Sequence, residues 1–248
     1  IKKLYFNSIL IEFSFQNYRS FPNEENFSMV ASNTVKELED DGAYTNVINF
    51  EKADLRLLKV GAIYGANASG KISLVSAMSL FKIMVLNSFV DDSLLNESVS
   101  NKFLLNVANR NEPLSFEMSF IMDDMRYRYG FEINGNHIET EWLFQRPLSN
   151  GARESYCFTR DKSEIKINPK IVKGAGRISD NTRTNALFLS TAAQFNIEIA
   201  MKIKSWFNRK LHILNAPEQT MQYTARAFMN DEWMRTRIQK FIQLIDLG

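Results

Sequence analysis

The sequence predicts an α/β fold, and three observations carry that reading. An apolar run, LRLLKVGAIYG at 55–65, passes through a glycine loop into a long stretch with helical spacing from Lys71. Apolar residues then alternate with period two from about 115 to 168, the mark of an antiparallel meander. Helical periodicity returns towards the C-terminal end. The expected organisation is an N-terminal core portion over 1–110, a β-subdomain over 111–170 and a helical portion over 171–248.

Taken in order, ILIEFSF at 9–15 alternates as a strand, and NYRSF at 17–21 leads to Pro22 and a polar turn. A second strand is expected over 26–31, and an acidic loop over 37–41 precedes NVINF at 46–50. The run 55–65 reads as one buried strand ending in glycine. After Gly70, Ile72, Val75, Ala77, Met78, Leu80, Phe81, Met84 and Val85 recur at helical spacing. FEMSFIM and YRYGFEI flank Asp123-Asp124, and Asn134-Gly135 leads into NHIETEWLF. A turn centred on Asn134-Gly135 would set Ile133 opposite Asn136, Phe131 opposite Ile138, Tyr127 opposite Trp142 and Arg128 opposite Glu141. ESYCFTR and EIKIN extend the meander. TAAQ at 191–194 has the form of a capping box, LHILNA at 211–216 that of a short strand, and helices are expected over 219–229 and 232–246.

Composition bounds the function. Of 248 residues, 45% are apolar, enough for a substantial core. Thirty basic against 28 acidic residues leave a net charge of +2, so no global field favours nucleic acid or membrane. The single cysteine, Cys157, excludes an internal disulfide framework. The most apolar stretch, 74–90, is broken by Lys82 and Asn87 and falls short of the roughly 20 apolar residues a membrane helix needs. A cytoplasmic protein without a membrane span is expected. The chain opens at Ile1 and stops after a strong helical pattern, so a C-terminal part is expected beyond it.

The chemistry concentrates in GANASGK. A glycine loop between a strand and a helix converges backbone N–H groups on an anion at the helix N-terminus. Gly65, Ala66, Asn67, Ala68, Ser69 and Gly70 would form the cradle, with Lys71 against the terminal phosphates. The following hydroxyl that normally holds Mg²⁺ is absent. Ile72 stands in its place, and Ser73, the substitute candidate for the metal, is rotated by about 100° on a regular helix.

Together, ILIEFSFQNYRSF, AIYGANASGK and NALFLSTAAQFN followed by WFNRKLHILNA resemble the prokaryotic AAA-type ATP-binding proteins of abortive-infection and phage-defence modules, relatives of the RecF and SMC branch of ABC-type ATPases. The resemblance covers about 9–247. It implies an ABC-like P-loop core, ATP and Mg²⁺ as cofactors, a homodimer that sandwiches the nucleotide, and coupling to an effector protein or DNA. By analogy it places Asn17, Arg19 and Ser20 near the nucleotide, with Arg19 as a phosphate contact. The metal-binding carboxylates and signature motif of such enzymes are expected beyond Gly248, so no catalytic residue is assigned. Two other readings stay open: a pseudo-ATPase whose nucleotide is structural or regulatory, and a non-enzymatic interaction module.

The remaining constellations have plainer readings. Asp123-Asp124 is expected to be a turn rather than a catalytic pair. His137, His212 and Cys157 lie on separate elements and lack the paired spacing of a zinc site. The basic loop over 166–183 lacks the interleaved aromatics of a single-strand platform and reads as solvated or nucleotide-adjacent.

Overall fold

Alternation in SILIEFSFQ produces β1 (Ser8–Gln16), which lies between β2 (Glu25–Ser28) and β5 (Leu114–Met122). The computed structural model describes residues 8–32, 46–67, 69–214 and 217–244, and the chain divides into Ile1–Leu211 and His212–Gly248. In the first unit β5 continues into β6 (Met125–Asn134), β7 (His137–Pro147), β8 (Ser155–Asp161) and β9 (Glu164–Ile167). All seven strands form one antiparallel sheet in the order β2-β1-β5-β6-β7-β8-β9, so the N-terminal strand and the meander share a ladder.

One face of this sheet is aromatic and carries the helices. These are α1 (Lys71–Asn87), α2 (Ser93–Ser100), α3 (Gly176–Ser179), α4 (Phe188–Gln194) and α5 (Glu198–Arg209). Phe81 of α1 stacks on Phe131 at 5.2 Å, Trp206 of α5 on Phe120 at 4.2 Å, and Phe188 of α4 meets Phe158 edge-on at 4.7 Å. Fully burying each such ring contributes about 1.5–3 kcal/mol, so these pairs hold the helices to the sheet. At Gly130 an added Cβ would fall 2.4 Å from Trp142 and 2.7 Å from the Phe116 carbonyl, so glycine there lets the indole lie across the strand.

A second, smaller core forms where β3 (Val47–Phe50) and β4 (Leu55–Leu58) set Leu57 against Ile11 and Ile121. The expected strand over 55–65 therefore ends at Leu58. Its ladder lasts only as long as β3, whose Val47 pairs with Leu58. Beyond it, the Asn46 side chain bonds both the N–H and the C=O of Val60, and the chain runs on to the glycine loop without regular pairing.

Three further expectations are corrected. In the β6–β7 turn positive φ falls on Gly135 and not on Asn134, so Asn134 pairs with His137, and a bulge at Glu132/Ile133 shifts the rest. Gly130 thus faces Trp142, Arg128 faces Phe144 and Tyr127 faces Gln145. Arg128 binds Glu117 and Glu154 and does not meet Glu141. Nor does Thr191 cap a helix: α4 begins at Phe188, and the Thr191 hydroxyl donates back to the Leu187 carbonyl within it. The cap comes from Glu141, a buried carboxylate on β7 that accepts from the N–H groups of Phe188 and Leu189. Finally, 211–214 is not a strand, while 215–216 lie outside the described residues, as does the acidic loop over 37–41.

The second unit contains α6 (Pro217–Asn230) and α7 (Glu232–Leu244). Asp231 accepts from the Met234 N–H, and Arg235 donates to the Phe228 and Met229 carbonyls, so the turn between the helices is capped from both sides.

Candidate functional site

The glycine loop leaves the exposed segment 59–65 and ends at Gly70, whose φ of 88° opens α1 in the left-handed region. An added Cβ at Gly70 would lie 2.3 Å from the Phe21 ring, so both conformation and space require glycine. At Gly65 a Cβ would come within 2.5 Å of the Ser69 hydroxyl. The turn is closed by Ser69 N–H donating to the Ala66 carbonyl at 3.2 Å. Ala68 lies outside the described residues.

Lys71 folds back over this loop. Its Nζ donates to the carbonyls of Gly65 at 2.5 Å and Ala66 at 2.6 Å and contacts the Ser69 hydroxyl at 3.2 Å. An ammonium held by its own loop sits where a phosphate oxygen would compete for it, at the positive end of the 17-residue helix α1. Side-chain capping is lacking at this N-terminus, which leaves first-turn N–H groups for an anion.

Beside the loop opens a cavity of about 400 Å³ that includes Ser69, Gly70 and Lys71. Phe21 and Phe27 supply aromatic surface, Glu25 and Asn26 polar groups, and Tyr64, 92% exposed, stands at its side. Apolar walls with a few polar groups suit a planar heterocycle next to a phosphate cradle. These cavity residues were not legible as site residues, because nothing in the sequence shows that NYRSF and the strand after it return to Gly70.

The other expected positions are placed as follows. Ile72 is 77% exposed and offers no oxygen, whereas Ser73 is 9% exposed on the inner side of α1 with Ala77 and Leu80. The uncapped helix end and the Lys71 ammonium are donors that suit a phosphate, but the two residues after Lys71 do not form a magnesium donor set as they stand. Arg19 is exposed and bonds Ser76 on α1 at 2.9 Å and Asn101 at 3.0 Å. Ser76 lies five residues after Lys71, about 7.5 Å along the helix axis, so the described contacts pin α1 and do not bring Arg19 to the loop. Asn17 is buried with φ 59° and donates to the carbonyls of Asn109 and Glu112, so its amide holds the 109–113 segment; Ser20 is exposed.

The weaker constellations resolve simply. Asp123 and Asp124, both at positive φ, are the exposed turn between β5 and β6. His137 pairs with Glu139 at 2.7 Å, His212 lies against Tyr223, and Cys157 is buried. No residue of the basic segment 166–183 lines the loop cavity, and Arg183 is engaged by Asp92 at 2.7 Å. Among the described residues no helix is long and apolar enough to cross a membrane, and no cluster of three metal-ligating side chains forms.

Residues 61–217 match the family described as "AAA domain, putative AbiEii toxin, Type IV TA system". The matched span opens just before the glycine loop and runs through the meander and α5. No curated protein matches the chain.

Proposed function

The chain belongs to this AAA-domain family of the AbiEii type, and from that membership we propose that it binds ATP in the glycine loop as part of a prokaryotic defence switch. The observation that carries the reading is Lys71 Nζ on the Gly65 and Ala66 carbonyls at the opening of α1. Arriving phosphates would exchange these internal acceptors for their own oxygens, while the N–H groups of the loop and helix end bind the remaining charge. The adjoining cavity would take the base and sugar, with Phe21 and Phe27 offering stacking surface. In this reading the sheet and α1 form the first half of an ABC-like core, and two copies close on the nucleotide. Hydrolysis would rest on positioning and charge stabilisation, for which Lys71 is the contributing side chain in this chain.

A second reading has its own observation. Ile72 projects a hydrocarbon side chain into solvent and Ser73 faces inward, which favours a domain that binds nucleotide without depending on a metal at this helix. Titration of ATP with and without Mg²⁺ distinguishes the two. Binding that disappears in Lys71→Ala supports the nucleotide site. ATP affinity equal in wild type and Lys71→Ala would remove it, leaving an interaction module.

A further inference from the structure

A second cavity, of about 340 Å³, lies at the N-terminus of α5, away from the glycine loop. Its polar lining is Tyr127 and Gln145, which pair across β6 and β7, together with Lys170, Lys173, Glu198 and Lys202. Tyr127 is 6% exposed, its ring stacked on Phe120, and this cavity-lining residue makes no side-chain hydrogen bond among the described residues. Burial pushes its pKa up to about 12, so near neutral pH the hydroxyl keeps its proton and is available as a donor.

The helix end points the same way. α5 begins after Ile197, which is extended and gives no side-chain cap, so the N–H groups of the first turn are uncapped where Ile197, Glu198 and Ile199 line the cavity. Gly174, at φ 79°, turns the Lys170–Lys173 segment against Ile197. Three lysines meet one carboxylate here: Glu198 binds Lys202 at 2.7 Å and lies in the field of Lys173, while Asp123 acts on both Tyr127 and Lys202 at longer range. Lys170 and Lys173 have no ion-pair partner among the described residues.

We propose that this cavity is a second anion site that binds a phosphate monoester or pyrophosphate end. Tyr127 and the α5 N–H groups donate to its oxygens, and Lys170 and Lys173 neutralise its charge. A mostly buried phenol without a protein acceptor, an uncapped helix end and two ammonium groups without ion-pair partners outweigh the one carboxylate, Glu198, which Lys202 already holds, and this excess of donors and positive charge suits a phosphate dianion better than a neutral ligand.

The test uses inorganic pyrophosphate with the Lys71→Ala protein, so that the glycine loop lacks its ammonium; any binding left on its N–H groups is unchanged by substitutions at the α5 cavity, and failure of the ATP reading leaves the outcome unaffected. Calorimetric titration is expected to show saturable binding below about 1 mM. Lys170→Ala/Lys173→Ala is expected to weaken it at least about tenfold, and Tyr127→Phe about three- to tenfold with an unchanged unfolding midpoint, in line with single charge-assisted hydrogen bonds. Absence of binding up to about 10 mM, or equal binding by the lysine double variant, overturns the proposal. Single-stranded oligonucleotides with and without a 5′-phosphate separate the source of the anion. Competition by the phosphorylated strand alone supports an end-on phosphate, and equal competition by both means a nucleic-acid backbone is the ligand and overturns the monoester assignment.

Discussion

Glu141 Oε2 accepts a 2.6 Å hydrogen bond from the Phe188 backbone N–H, across 47 residues of sequence. Its other oxygen accepts from Leu189 N–H at 3.0 Å and from the Tyr129 hydroxyl at 2.9 Å. The carboxylate does for α4 what an N-cap side chain does, from a strand on the sheet beneath. Arg160, also buried, lies 3.9 Å from Glu141 and spends its remaining donors on the carbonyls of Ala186, Arg183, Thr184 and Lys162. Two opposite charges thus fasten β6, β7 and β8 to the segment entering α4.

Removing one member should cost more than the pair itself contributes, because the survivor stays buried and uncompensated. Glu141→Ala is expected to destabilise the protein by about 3–5 kcal/mol in urea unfolding. The double variant Glu141→Leu/Arg160→Met should lose clearly less than the sum of its single changes. A Glu141→Ala protein within about 0.5 kcal/mol of wild type would mean that the cap is incidental.

Two glycines separate folding from binding. Gly130→Ala forces a Cβ onto the Phe116 carbonyl, which cannot swing away, and should cost about 1–3 kcal/mol, with a change in tryptophan fluorescence as Trp142 is displaced. Gly70→Ala meets both positive φ and the Phe21 ring, and should reduce ATP binding more than it reduces stability. Adding Phe21→Ala relieves the clash but not the φ, so it is expected to restore stability only in part. Full recovery of ATP binding by that double change would show that the backbone conformation is unimportant.

What was legible in the sequence was whatever depends on local period. β1, the meander, α1 and the two last helices follow from alternation or helical spacing, and the loop follows from its glycines. Contacts set by distant partners were not legible. The bulge at Glu132/Ile133 changes which face each β7 residue takes, and so turns Glu141 from an expected partner of Arg128 into a buried cap. TAAQ satisfies the capping-box pattern, but the N-cap position is Leu187, four residues before Thr191, and Glu141 supplies the cap there. At the candidate site the loop was readable, while the Phe21–Gly70 approach depends on a tertiary contact between segments about 50 residues apart.

Ile72 offers a clean substitution because its side chain is mostly in solvent. Ile72→Thr should change stability by no more than about 0.5 kcal/mol. If the position after Lys71 is the missing metal contact, the ratio of ATP affinities with and without Mg²⁺ should rise about tenfold in the variant, the equivalent of one good ligand interaction. An unchanged ratio would show that the position does not meet the metal.

Alkaline pH probes the sheet interior through Cys157. Burial pushes its thiol from 9.0 up to about 12, so the folded state holds this proton more tightly than the unfolded chain. The associated stability is complete below about pH 9 and is lost as pH rises towards 12, at up to about 1.4 kcal/mol per unit. Tyr127, shifted from 10.0 to about 12, adds a loss in the same direction above pH 10. Cys157→Ala removes the first contribution while its packing penalty stays nearly constant with pH. The stability gap between wild type and this variant should therefore narrow by about 2 kcal/mol between pH 8 and 10.5. In parallel, a thiol reagent at pH 8 should label Cys157 only at the rate of unfolding, since the folded thiol is both covered and protonated. Rapid labelling of the native protein, or a gap that stays flat with pH, would place Cys157 in contact with water and contradict its packing on the sheet.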